Sequence, residues 1–423
     1  MRFLYLAVAY LLAPLVCGTM LLRGIRDRSQ WENFSQRFGF GPRSSRPAIW
    51  VHAVSVGEVQ AAASLVLALR RRYPDVPLVV TTVTPTGAQR ARALFGDAVQ
   101  VRYIPYDLPG SVRRFFNRVR PRVAVILETE LWPNLYHFCG QRKVPLVLAS
   151  ARISPRSVGR YRLLASLFRE TLSHGIVIAA QGEGDAERFR SIGANPARTH
   201  VTGNIKFDLA LPDDIRAQGA ALRERYAPGE RLVWVAGSTH DGEEAAMILV
   251  QRRLRAAGLD VLLVLVPRHP GRFQDVAALL RQAGVPFVRR STDEPVRADT
   301  EVLLVDTLGE LVAFYAAADL AFVGGSLVPV GGHNLLEPAA LALATLSGPQ
   351  VFNAQDIAGL LVDEGAVELV ADADALGEAV LRLLSDPAER RRRGEAGLRV
   401  VERNRGALER LLDLLRPVID ADH

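Results

Sequence analysis

Residues 48–73 read AIWVHAVSVGEVQAAASLVLALRRRY. Ala48–His52 is a short apolar run rich in β-branched side chains, and Glu58–Tyr73 carries apolar positions at helical spacing. A strand that turns directly into an amphipathic helix is half of a βαβ unit. The pattern recurs along the chain. Leu78–Thr84, Val123–Leu127, Leu146–Ser150 and Ile176–Ala180 read as strands, with helical stretches such as Arg160–Leu172 between them. This alternation predicts a parallel sheet covered on both faces. The pattern restarts with Leu232–Ala236, Val261–Val266, Val302–Val305 and Leu320–Val323. Between the two series lies Thr202–Ile215 (TGNIKFDLALPDDI), polar and bearing Gly203 and Pro212, which reads as an interdomain linker. The fold expected is α/β, two doubly wound Rossmann-like halves facing each other across a cleft, with ligands at the carboxyl ends of the strands.

The composition fits this reading. The 423 residues are 49% hydrophobic and 23% charged, enough for two large cores and unlike a disordered chain. Two cysteines, Cys17 and Cys139, cannot frame a disulfide scaffold, which fits a reducing compartment. Charge divides unevenly: residues 1–205 hold 28 basic and 12 acidic side chains, whereas residues 206–423 hold 24 and 33. An anionic partner is therefore expected on the first half. Only Lys143 and Lys206 are lysine, against 50 arginines. A compact point charge retained in such a chain marks a candidate site position.

Phe3–Leu22 is an uncharged, mostly apolar run of 20 residues between Arg2 and Arg23, about the length of a membrane-crossing helix. Arg23, Arg26 and Arg28 follow it, so the positive-inside rule places the body of the protein in the cytoplasm. An uncleaved anchor, or at least a membrane-seated helix, is expected over residues 1–28. Domains are expected over 29–205 and 206–423. No nucleic-acid-binding motif is present. The Arg-rich stretch Glu389–Arg403 reads as a solvated helix face.

Chemistry-bearing residues gather after the expected strands. Ser55-Val-Gly-Glu58 places a carboxylate at a strand end and has equally the spacing of a capping box. Glu128 and Glu130 follow the third strand beside Trp132, and Lys206 in Gly203–Phe207 is a candidate partner for such acids across the cleft. Gly237–Gly242 (GSTHDG) joins a strand to a helix and offers backbone N–H groups to an anion. Pro267-Arg268 ends a strand where a guanidinium suits phosphate, and Asp306–Glu310 closes the next. The stretch Phe322–Pro338 (FVGGSLVPVGGHNLLEP) frames a loop with two Gly-Gly pairs, and Asn334 and Glu337 have capping spacing and the groups to bind a ribose. His52, His240, His269 and His333 have no metal-binding spacing, so neither a metal nor another cofactor is expected.

The motifs HAVSVGE, LETELWPN, GNIKFD, LVPRHP, DTLGEL and GGHNLLEPAA occur in the order found in the 3-deoxy-D-manno-octulosonic acid (Kdo) transferases of lipid A biosynthesis, which the chain resembles over nearly its whole length. The resemblance implies a GT-B type fold and an inner-membrane enzyme with its catalytic domains on the cytoplasmic side. It also implies CMP-Kdo as donor, a lipid A precursor (lipid IVA) as acceptor, and inversion without a metal. On matching positions it implies Glu58 as general base and Glu128 and Lys206 as transition-state stabilisers. Pro267, Arg268, Leu308, Gly309, Glu310, Asn334, Leu335, Leu336 and Glu337 match the CMP-binding segments. Gly348-Pro-Gln350 and Asn353-Ala354 depart from the family's frequent Gly-Pro-His and Asn-Phe. Rival expectations are a UDP-sugar transferase of the same fold and a tethered binding protein without catalysis.

Overall fold

The computed structural model describes residues 2–155, 158–159 and 175–421, so the expected helix Arg160–Leu172 lies outside the described residues. The chain forms two compact units, one of Met1–Asp208 with Asn404–His423 and one of Leu209–Arg403.

In the first unit seven parallel strands lie in the order β3-β2-β1-β4-β5-β6-β7. They are β1 (Ala48–His52), β2 (Leu78–Thr82), β3 (Gln100–Tyr103), β4 (Pro121–Leu127), β5 (Leu146–Ala151), β6 (Val177–Ala180) and β7 (Thr199–Val201). Alternate residues of the central strands enter opposite layers. Ala48, Trp50, Ala124 and Ile126 pack on one face, and Ile49, Val51, Val123 and Val125 on the other. Burial on both faces explains why these strands read as unbroken apolar runs.

The second unit repeats the architecture in the order β10-β11-β9-β8-β12-β13-β14, again all parallel. Its strands are β8 (Leu232–Thr239), β9 (Val261–Pro267), β10 (Phe287–Arg289), β11 (Val302–Leu304), β12 (Leu320–Val323), β13 (Thr345–Ser347) and β14 (Val367–Leu369). Strands β3, β7, β10, β13 and β14 have no counterpart in the sequence reading. Each is three or four residues long with at least one polar letter, and four of them are sheet edges, where one side lacks a strand neighbour.

The expected domain 206–423 differs from the structure at both ends. Residues 206–208 belong to the first unit, because Ile205 and Phe207 are buried there. The chain also returns: helix Ala407–Ile419 inserts Ala407, Leu411, Leu412, Leu415 and Ile419 into the core that holds Ile49, Val51 and Ile205. The linker reading of Thr202–Ile215 thus holds for only part of that segment.

Helix Arg2–Arg26 precedes the first sheet and contains Pro14. Among the described residues no helix is long and apolar enough to cross a membrane. Phe3, Leu11 and Ile25 are nevertheless largely exposed on this helix. Its anchor point in the fold is polar: the Tyr5 hydroxyl donates to Asp107 at 2.7 Å, and Asp107 also accepts from the N–H groups of Asn134 and Leu135.

Candidate active site

In the first sheet the strand order reverses between β1 and β4, which pair side by side. Crevices at the carboxyl ends of such a pair are where ligands bind in doubly wound sheets. Glu58 follows β1 and Glu128 follows β4, so both carboxylates arise at this point.

Ser55 is the N-cap of the helix that begins at Val56, and its hydroxyl oxygen accepts from the Glu58 N–H at 3.4 Å. Glu58 Oε2 in turn accepts from the Val54 N–H at 2.8 Å, so it reaches back past the N-cap to the residue before it, a variant of the expected capping box. The cap does not exhaust the side chain. Burial pushes its pKa up to about 7, with help from Glu128 and Glu130, against the Val54 hydrogen bond and Lys206, which lower it. Desolvation therefore outweighs the helix N-terminus, which favours the ionised form. A Cβ at Gly57 would meet no atom closer than Ser55 Oγ at 3.9 Å, so the turn leaves open space beside the carboxyl.

Glu128 sits in the left-handed region at φ 56° while its N–H donates to Ala149. Such a conformation in a non-glycine residue costs of order 1–3 kcal/mol and persists only where the surroundings enforce it. Here it turns the side chain toward Lys206, whose Nζ donates to Glu128 Oε1 at 2.8 Å. Asn204 Oδ1 accepts from the Lys206 N–H at 3.0 Å and fixes the turn that carries the lysine. Glu130 accepts from the Trp132 indole at 2.9 Å, and burial raises its pKa. His52 lies under the site with no exposed surface. Its Nδ1 is near the Thr81 carbonyl and hydroxyl, and burial lowers its pKa to about 4, so it is a neutral core residue.

In the second sheet the order reverses between β8 and β12. The loop Gly237–Gly242 was expected to offer its N–H groups to an anion, and one of them, that of His240, serves an internal one. Glu243, fully buried, accepts from the N–H groups of His240 (2.9 Å), Gly325 (2.7 Å), Ser326 (2.9 Å) and Leu327 (2.9 Å). The carboxylate thus fills a nest made of one N–H from Gly237–Gly242 and three from Gly325–Leu327. Gly324 is required beside it, because a Cβ there would stand 2.7 Å from the Ser238 carbonyl oxygen. Gly331, at φ 106°, is required too: its Cβ would fall 2.5 Å from Asn353 Nδ2 and from the Phe352 ring.

Arg268 at the end of β9 acts electrostatically on His240, His333 and Glu337, which places these four groups in one neighbourhood. His240 and His333 meet through their Nε2 atoms at 2.8 Å with stacked rings, and the His269 ring lies 5.2 Å from that of His240. Sequence reasoning weighed these histidines only as metal ligands. The signal it missed was their position, each just past a strand end or in the Gly-Gly loop. Asn334 donates to Glu337 at 3.0 Å and accepts from Leu336 N–H at 3.1 Å, but it stands one residue before the N-cap, Leu335, which has no capping side chain. The side chains of Leu335 and Leu336 are core residues, which leaves only backbone groups to face a ligand. Glu310 follows β11, which pairs directly with β9. Arg290 and the Thr307 hydroxyl hold its carboxylate, while Gly309 at φ 87° turns the chain and leaves Leu308 exposed. Pro267 is the buried last residue of β9. At the two departing residues, Gln350 N–H donates to the Ser326 carbonyl and Ala354 N–H to that of Val351, so both are held through their backbone. Among the described residues no group of three or more His, Cys, Asp or Glu side chains has a geometry able to hold a metal ion.

The family profile described as 3-deoxy-D-manno-octulosonic-acid transferase (kdotransferase) matches residues 32–209. A 3-deoxy-D-manno-octulosonic acid transferase of Haemophilus influenzae is 42% identical over 423 residues, covering 99% of each chain. One from Bordetella pertussis is 41% identical over 419 residues, covering 96% of each. Among solved structures, Acinetobacter baumannii MurG superposes with a TM-score of 0.55 at 14% identity, over 88% of this chain and 100% of that one. A glycosyltransferase from Rickettsia africae gives 0.55 at 11% identity, over 89% and 100%. At such identities the structural likeness establishes the fold, two parallel-sheet α/β units of the GT-B kind.

Proposed function

Because the chain belongs to the 3-deoxy-D-manno-octulosonic acid (Kdo) transferase family and is therefore a glycosyltransferase, we propose that it moves Kdo from CMP-Kdo to a lipid A precursor (lipid IVA) with inversion at the anomeric carbon. The observation that carries the reading is Glu58, a half-buried carboxyl with a pKa near 7 at the β1–β4 switch point, beside the Glu128–Lys206 pair. A base poised near the operating pH balances ionised fraction against proton affinity.

In the proposed reaction an acceptor sugar hydroxyl attacks the anomeric carbon of Kdo as the bond to the phosphate oxygen of CMP breaks. The hydroxyl proton passes to Glu58, and CMP leaves with both electrons of the broken bond. Attack on the face opposite the leaving group inverts the centre, as for the base of an inverting glycosidase. Lys206 and Glu128 stabilise the charge that shifts as the oxocarbenium-like centre forms. The second unit binds the nucleotide. CMP carries one phosphate, which the exposed guanidinium of Arg268 can pair without a divalent ion. The N–H groups of His240, Gly325, Ser326 and Leu327 are committed to Glu243 and do not serve the phosphate.

The acceptor is anionic and acylated, which matches the basic balance of residues 1–205. Helix Arg2–Arg26, with Phe3, Leu11 and Ile25 exposed, seats the enzyme in the interface of the inner membrane, its catalytic units on the cytoplasmic side.

Donor competition tests the reading. CMP is expected to inhibit competitively against CMP-Kdo, and UDP to have little effect. Arg268→Ala is expected to raise KM for the donor about 10- to 100-fold, because a hydrogen bond to a charged group contributes about 1.5–3 kcal/mol. Inhibition by UDP with indifference to CMP would leave the fold and replace the donor.

A further inference from the structure

The segment that carries Lys206 is held from the far end of the chain. Asp208 Oδ1 accepts from the Gly406 N–H at 2.6 Å, and Oδ2 from the Leu408 N–H at 2.7 Å. Gly406 is the N-cap of helix Ala407–Ile419 and has no capping side chain of its own, so Asp208 supplies that cap. Arg410 on the same helix donates to the Thr202 carbonyl at 2.8 Å. Gly203, at φ 95°, lets the two segments approach, since a Cβ there would lie 3.1 Å from Ala407 Cβ. Between these contacts Ile205 and Phe207 are both 2% exposed. With its two neighbours committed to the core, the intervening Lys206 side chain is directed outward, and its ammonium meets Glu128. On the opposite side, Asn204 accepts from the Lys206 N–H and donates to Gln181, which donates to the Ser150 carbonyl.

From this arrangement we propose that Asp208 is a positioning residue for Lys206: by clasping the N-terminus of the returning helix it fixes the turn that aims the ammonium at Glu128. The proposal rests on the reading of Lys206 as the charged group of the reaction centre. Its physical content does not depend on that reading, because the clasp determines where an amine stands. Without Asp208 the helix loses its cap and the turn loses its tie to it, while Arg410 and the buried Ile205 still hold the segment in the fold. The expected result is a loosened lysine in a folded protein.

The lysine content makes this measurable. Lys206 and Lys143 are the only lysines, and Lys143 is exposed, so it serves as an internal standard. Competitive acetylation of the full-length protein with trace acetic anhydride, read by peptide mass spectrometry, gives the reactivity of Lys206 relative to Lys143. Asp208→Ala is expected to raise that ratio roughly fivefold or more, as local opening exposes an amine now held in an ion pair. Asp208→Asn, which retains one accepting oxygen, is expected to fall between. Glu128→Gln, which releases the amine directly, sets the upper end of the scale. With CMP-Kdo and acceptor, Asp208→Ala is expected to lower kcat about tenfold or more with KM within about twofold of the wild type. Should Asp208→Ala not fold, Arg410→Met removes the tie to Thr202 and keeps the apolar stem, and a smaller rise in the same ratio is expected. A ratio unchanged from wild type in the folded variant overturns the proposal. Labelling uses no substrate, so failure of the Kdo-transfer reading would appear separately, as an inactive wild type.

Discussion

Glu58→Gln is expected to reduce kcat by about 10³-fold, within the 10²–10⁴ range of general-base contributions, while leaving the fold intact. The glutamine oxygen can still accept from the Val54 N–H, so the cap survives and the proton acceptor does not. In the wild type kcat/KM should rise with pH through about 7 and level off above it, as Glu58 ionises. Stability should move the opposite way. The folded-state pKa is raised above the unfolded value near 4.5, so between the two the native state binds the extra proton. Its stability therefore falls as pH rises from about 4.5 to 7, and the full penalty applies above that. Glu58→Gln removes the penalty. The variant should equal the wild type below pH 4.5 and exceed it at pH 8 by on the order of 1–3 kcal/mol. Thermal unfolding at the two pH values, with steady-state rates, checks both halves. A stable variant with full turnover would assign the proton to another group.

Glu243→Ala is expected to cause the largest structural loss. Its carboxylate satisfies four backbone N–H groups that converge from the β8 and β12 loops. Each buried donor left without an acceptor costs about 1–3 kcal/mol, so even with water entering, roughly 4 kcal/mol is expected. Glu243→Gln should do little better, because its NH₂ group would face N–H donors. That near-equivalence separates an anion in a nest from mere packing. Hydrogen exchange over residues 240–243 and 324–327 reads the effect locally, which matters because a two-unit chain need not unfold in one step. Retained protection in both variants would show that the loop is ordered without its carboxylate.

The central strands were legible because burial on both faces leaves no polar letter in Ala48–Val51 or Val261–Val266. The edge strands were not, since Gln100–Tyr103 and Thr199–Val201 keep polar side chains. Glu58, Glu128 and Lys206 were each visible at a strand end or as a rare lysine, and Lys206 pairs with Glu128 inside the first unit, where a partnership across the cleft was expected. Glu243 escaped notice because three of its four partners lie 82 to 84 residues further on, beyond the reach of local spacing. The return of the C-terminal helix left one signal that went unread. Gly406 stands before a strongly amphipathic run, and Ile205 and Phe207 lie within a segment taken for a polar linker. Apolar residues in a linker are a sign that something covers them.

The most direct measurement is the mass of a lipid A precursor after incubation with the purified protein and freshly prepared CMP-Kdo in the presence of EDTA. A gain of one or more Kdo residues, absent with Glu58→Gln, is the predicted result. No gain from CMP-Kdo, with transfer from a UDP-sugar instead, would contradict the account of donor and reaction together.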